Sequence, residues 1–185
     1  MSDVRRESRL RGTTRRQLLG RGIGLAGAAA VPAGVLAPPA LAQESEETDA
    51  LERLVELELA AELAYALAAE DGDLSAEATR AFELFTEHCG DHATALSEAL
   101  DQLGVDPPDP GSDPADYERL ADFDAAAALP EQVEFLSALE DDLIQAYEEE
   151  TANLEADDLV RSAAQIGASH AQIRVALAAL GGKRG

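Results

Sequence analysis

The sequence predicts an all-α fold: an antiparallel four-helix bundle with one long crossover between helices 2 and 3. Three observations predict it. The 185-residue chain is dominated by Ala, Leu and Glu, has few aromatics and no Trp, and nowhere alternates β-branched residues as a half-buried strand would. Apolar residues recur instead at helical spacing through four stretches of residues 50–181. The links between those stretches run short, long, short, which makes two antiparallel hairpins joined by a returning connection.

Helix 1 is expected from about Ala50 to Ala69, opened by a capping box of Asp49 and Glu52 and ended by the turn at Asp71, Gly72 and Asp73. Helix 2 is expected from about Ser75 to Leu103, with Gly104 as its stop. Its apolar seam reads Phe82, Phe85, Cys89, His92, Leu96, Ala99, Leu103, in steps of three and four. The crossover spans residues 105–130. The prolines Pro107, Pro108 and Pro110 forbid a helix at its start, while Pro114 opens a short one through Tyr117, Leu120 and Phe123. Helix 3 is expected from about Glu131 to Leu154, with seam positions Val133, Leu136, Glu140, Leu143 and Tyr147. The phase breaks near residues 155–158. Helix 4 then carries Leu159, Ala163, Ile166, His170, Ile173, Leu177 and Leu180, and stops at Gly181 and Gly182.

Charge divides the chain in two. Seven of the 14 basic residues, but only two of the 37 acidic ones, lie in residues 1–42. Residues 43–185 are left with seven basic against 35 acidic residues, a formal charge of −28. The basic start runs into Thr14, Arg15, Arg16, Gln17, Leu18 and Leu19, which resembles the twin-arginine export signature. A weakly apolar stretch follows from Ile23 to Leu41, and Ala40 and Ala42 form a signal-peptidase pattern, so cleavage is expected after Ala42. Residues 1–42 thus read as a signal peptide and 43–49 as a short N-terminal segment. The partners implied are the twin-arginine (Tat) export machinery and signal peptidase, and the destination is the periplasm, cell envelope or extracellular space. Pro32, Pro38, Pro39 and the nearby glycines are poor material for a spanning helix, so no stable membrane anchor is expected in the mature form.

Composition also excludes function classes. A charge of −28 leaves no basic footprint for nucleic acid. The lone Cys89 forbids an intramolecular disulfide. No nucleophilic triad, phosphate-binding glycine loop or cofactor motif is present. A homo-oligomer is compatible with the fold, although no contact surface for one is legible in a single chain.

The seams carry the chemistry. Four positions that would ordinarily hold Leu, Ile or Val hold groups costly to bury alone: Glu58, His92, Glu140 and His170, one per helix. Glu58 precedes Tyr65 by seven residues and Glu140 precedes Tyr147 by seven, so a shift of 82 residues superposes both pairs, as an internal duplication would. Each Glu–His pair is centred on its own hairpin turn, near residues 75 and 155, which places the four groups at similar depth. Two carboxylates and two imidazoles form a coherent sphere for Zn²⁺, Fe²⁺ or Mn²⁺. The alternative needs no metal: buried carboxylates paired with protonated histidines. Glu62, His88 and Cys89 are additional candidate ligands. The competing expectations are an outward-pointing Glu62, a solvent-exposed His88 and, for Cys89, a small buried hydrophobe. Tyr65 and Tyr147 suit either hydrogen bonds to the glutamates or core packing.

Residues 50–181 resemble the ferritin-like superfamily. The segment from Glu58 through Glu62 to Tyr65 is similar to the first helix of bacterioferritin-type proteins, His92 to Gly104 to the second, and His170 to Gly181 to the fourth. The resemblance implies glutamate ligands from helices 1 and 3 and a Glu-x-x-His motif on helices 2 and 4, matching Glu58, Glu140, His92 and His170. Cys89 and Gly167 stand where that motif places the bridging glutamates, so ferritin-like iron oxidation is not expected. The leading expectation is an exported ferritin-like domain protein of undetermined activity, with a divalent metal in the bundle core as one option and no cofactor as the other. A ferroxidase or other metal-dependent oxidoreductase, and a metal-free structural or binding bundle of the cell envelope, are the alternatives.

Overall fold

The computed structural model describes residues 39–182, with side chains from residue 46; Arg15, Arg16 and most of the expected signal peptide lie outside the described residues. Four helices are present among them and no strand: α1 (Pro39–Ala69), α2 (Ala76–Leu103), α3 (Leu129–Glu150) and α4 (Asp157–Gly182). None is long and apolar enough to cross a membrane.

Helix α1 begins eleven residues before its expected start. No glycine or proline interrupts the chain between Pro39 and Asp71, and a proline is at home in a first helical turn, so nothing stops the helix at Asp49. Asp49 is therefore an interior helical residue and not a cap. The residues expected as a short N-terminal segment belong to α1, and the expected cleavage position falls in its first turn.

The extension has a structural role. Glu47 is only 5% exposed, and its Oε1 accepts the backbone N–H groups of Glu155 (2.8 Å) and Ala156 (3.4 Å) at the entry to α4. These donors have no helical carbonyl to bond, and a carboxylate at a helix N-terminus also meets the positive end of the helix dipole. Glu47→Ala is expected to destabilise the protein by about 1–3 kcal/mol, the cost of leaving buried donors unpaired. A urea titration checks this; an unchanged midpoint would mean that water replaces the carboxylate.

Ser75 caps α2, its Oγ accepting from Ala78 N at 3.2 Å, and Gly104 ends it at φ 81°, a conformation glycine alone enters cheaply. Phe82, Phe85, Cys89, Leu96 and Ala99 are buried as the seam predicts, but Leu103 is 43% exposed and Leu100 fills the last core position.

The crossover holds two 3₁₀ turns, Pro114–Asp116 and Glu118–Leu120, where one short helix was expected. Local side chains take the backbone donors: Asp113 Oδ1 accepts from Ala115 N, and Asp116 Oδ2 from Ser112 N and Asp113 N. The Tyr117 hydroxyl accepts from Gly111 N at 2.7 Å, and Tyr117 itself is extended, which separates the turns. Buried Leu120 and the tilted ring pair Phe123 and Phe135 fasten the crossover to the bundle. Buried Gln132 closes its far end, its Nε2 donating to the carbonyls of Ala125 and Ala127 and to Asp71.

Helix α3 ends at Glu150, four residues short of the expected Leu154. Thr151 turns its hydroxyl back onto the Tyr147 carbonyl, and a 3₁₀ turn over Thr151–Asn153 follows. Arg53 on α1 grips Glu150 with two hydrogen bonds of 2.7 and 2.8 Å, tying the hairpins at that end. Helices α1 and α2 pack most closely, then α3 with α4 and α1 with α3, whereas α2 and α4 touch only sparsely.

Candidate metal centre

The polar seam residues meet at the centre of the bundle. Glu58, Glu140 and His170 are fully buried, each 0% exposed, and His92 is 17% exposed. His170 stands between the two carboxylates. Its Nδ1 lies 2.9 Å from Glu140 Oε2 and its Nε2 2.8 Å from Glu58 Oε1. A ring that donates from both nitrogens is an imidazolium. Burial opposes that charge, but the hydrogen bonds and charges of Glu140 and Glu58 outweigh it and raise the His170 pKa to about 9. Glu58 shows the reciprocal effect. Burial pushes its pKa up, yet His170 and His92 together hold it below the ordinary carboxylate value.

The tyrosines complete this network across the hairpins. Tyr65 on α1 donates to Glu140 Oε1 on α3 at 2.7 Å, and Tyr147 on α3 donates to Glu58 Oε1 on α1 at 2.5 Å. Spacing places each tyrosine on its own glutamate's face, but a residue seven positions away is two turns distant; the hydroxyl reaches the carboxylate of the facing helix. Burial, followed by the neighbouring carboxylates, raises both phenol pKa values well above normal, so both remain donors.

One corner of the network is open. Glu58 Oε2 and His92 Nδ1 face each other at 3.4 Å, and neither makes a hydrogen bond among the described residues although both atoms are buried. With His170 they form a group whose ligand atoms all lie within 4.8 Å of one another. Buried polar atoms normally find hydrogen bonds, and two that lack one, facing each other only as a loose ion pair beside a third nitrogen, make a cradle that suits a cation. A carboxylate and two imidazoles are a donor set for Zn²⁺ or non-haem Fe²⁺. Glu140 is not part of this group. It holds the far nitrogen of His170, the position of a carboxylate that orients a metal-binding histidine.

The additional candidates divide. Cys89 is buried, and desolvation, then Glu58, Glu140 and Glu62, raises its thiol pKa well above normal, so it is a neutral thiol. Glu62 leans on α2, where a Cβ at Gly90 would lie 3.0 Å from its Oε1. Burial and the charge of Glu58 raise its pKa. His88 sits at the seam's edge, partly buried, with its Nδ1 enclosed and without a hydrogen-bond partner among the described residues. At Gly167, a Cβ would lie 3.1 Å from Tyr147 Cβ. Helix α3 thus approaches Gly167 closely, and any side chain there would start in tight contact with Tyr147.

Fold and centre together define a helical bundle of two hairpins with a buried carboxylate–imidazole core. The family model described as the ferritin-like domain matches residues 46–183, and the chain belongs to that family. No curated protein and no solved structure matches it.

Proposed function

We propose that this is an exported ferritin-like domain protein that holds one divalent metal ion, with Glu58, His92 and His170 as ligands and Glu140 orienting His170. The observation that carries the reading is the pair of buried, unsatisfied atoms, Glu58 Oε2 and His92 Nδ1, beside His170 Nε2. Neutral Cys89 and glycine at position 167 favour a mononuclear centre over a dinuclear ferroxidase. Bound there, Zn²⁺, Fe²⁺ or Mn²⁺ would supply a Lewis acid, and iron or manganese a redox couple as well. The chain's own part is to shed the proton on His170 Nε2 while Glu140 keeps the one on Nδ1, and to exclude bulk water with the surrounding core. Export through the twin-arginine route rests on Arg15, Arg16 and the small residues around Leu41. The acidic balance of the remainder suits solubility and weak attraction of cations.

A metal-free bundle of the cell envelope is the second reading, favoured by the complete hydrogen bonding of His170. Elemental analysis separates the two. Protein incubated with Fe²⁺, Zn²⁺ or Mn²⁺ and desalted should retain about one ion per chain, and His92→Ala should fall well below that, because losing a ligand costs most of the affinity. Substoichiometric metal with all three ions would leave the metal-free reading.

A further inference from the structure

The chain has only three histidines, and all three lie in one row leading to the centre. His88 and His92 are one helical turn apart on α2, with ring centroids 6.5 Å apart. His92 and His170 follow at 5.3 Å. His88 and His92 are both partly buried, the His92 side chain 17% exposed, and His170 is fully buried.

His88 is unexplained by the centre itself. It is outside the group formed by Glu58, His92 and His170. Nor does it serve the fold through a hydrogen bond: its enclosed Nδ1 finds no acceptor or donor among the described residues, which is costly to maintain. Two histidines at i and i+4 on one helical face are a recurrent grip for a divalent ion. His92 belongs both to that outer pair and to the inner group.

We infer that His88 is a capture ligand for divalent metal: with His92 it receives an incoming ion at the rim, and Glu58 and His170 then replace His88 as the ion moves inward. The ion is of the borderline, imidazole-preferring class, and the inference rests on the metal centre proposed above. A capture ligand speeds loading and release alike and leaves the final occupancy unchanged.

Stopped-flow absorption with Co²⁺ as the probe tests this on the purified protein. His88→Ala and His88→Gln should reach the same final spectrum and stoichiometry as the unmodified chain. Loading and chelator-driven release should both slow by roughly tenfold, the scale on which residues near a metal site act. His92→Ala should abolish the spectrum. Loading of both His88 variants at the unmodified rate would overturn the capture role and leave the centre standing. A lower final stoichiometry at an unchanged loading rate would make His88 a ligand of the finished site, which also overturns it. Absence of any Co²⁺ spectrum in the unmodified protein would remove the centre, and the capture role with it.

Discussion

Replacing His170 with alanine will cost the protein about 3–5 kcal/mol, the loss typical of breaking a buried ion pair by removing one member. Two effects combine. Glu58 and Glu140 are both fully buried, and the imidazolium between them is their shared counter-charge. Without it, two buried carboxylates keep their tyrosine donors but lose the charge between them, and an imidazole-sized void opens beside Tyr147, whose ring stacks on His170 at 5.6 Å. Urea unfolding of the metal-free variant measures the loss. The triple variant His170→Ala, Glu58→Gln, Glu140→Gln should recover part of it, because neutral amides relieve the repulsion while the void remains. A loss below about 1 kcal/mol in the single variant, the scale of an ordinary neutral hydrogen bond, would refute the charged arrangement.

The stability of the metal-free protein should also decline steeply between about pH 6.5 and 9. The folded pKa of His170 is about 9 against an ordinary 6.5. In that interval the folded chain keeps a proton that the unfolded chain releases, so stability falls as pH rises. The contribution is fully present below 6.5 and is lost through 9; the difference corresponds to about 3 kcal/mol at 1.36 kcal/mol per pH unit. Glu58 acts on the other flank. Its folded pKa lies below the ordinary 4.5, so its share is present above 4.5 and lost as pH falls. Unfolding free energy should therefore be greatest between about pH 4.5 and 6.5. Chelator-treated protein unfolded in urea at a series of pH values gives the curve. His170→Ala should flatten its alkaline arm; an arm of unchanged slope would place the titrating group elsewhere.

The architecture was legible because each helix declares itself locally. Apolar seams, the Ser75 and Gly104 boundaries and the proline-rich crossover all speak through near neighbours in the chain. Convergence of Glu58, His92, Glu140 and His170 was legible from symmetry about the two turns. What escaped were relations between helices. Nothing in the spacing of Glu58 and Tyr65 reveals that each tyrosine serves the opposite glutamate, since that depends on the rotation of α1 against α3. The division of labour between Glu58 and Glu140 was hidden for the same reason: the two occupy equivalent positions, and only the placement of His170 and His92 distinguishes them. The start of α1 was missed through a cap signal at Asp49 that is locally valid but unused, because the preceding residues already favour helix.

The crossed tyrosine bonds bear on how the molecule assembles. A lone hairpin carrying Glu58 would have to sequester a carboxylate whose phenol donor, Tyr147, resides in the other half; the converse holds for Glu140 and Tyr65. Neither half is chemically self-sufficient, so an intermediate with one hairpin docked and the other loose is penalised at its heart. The two halves should consequently melt in a single concerted transition.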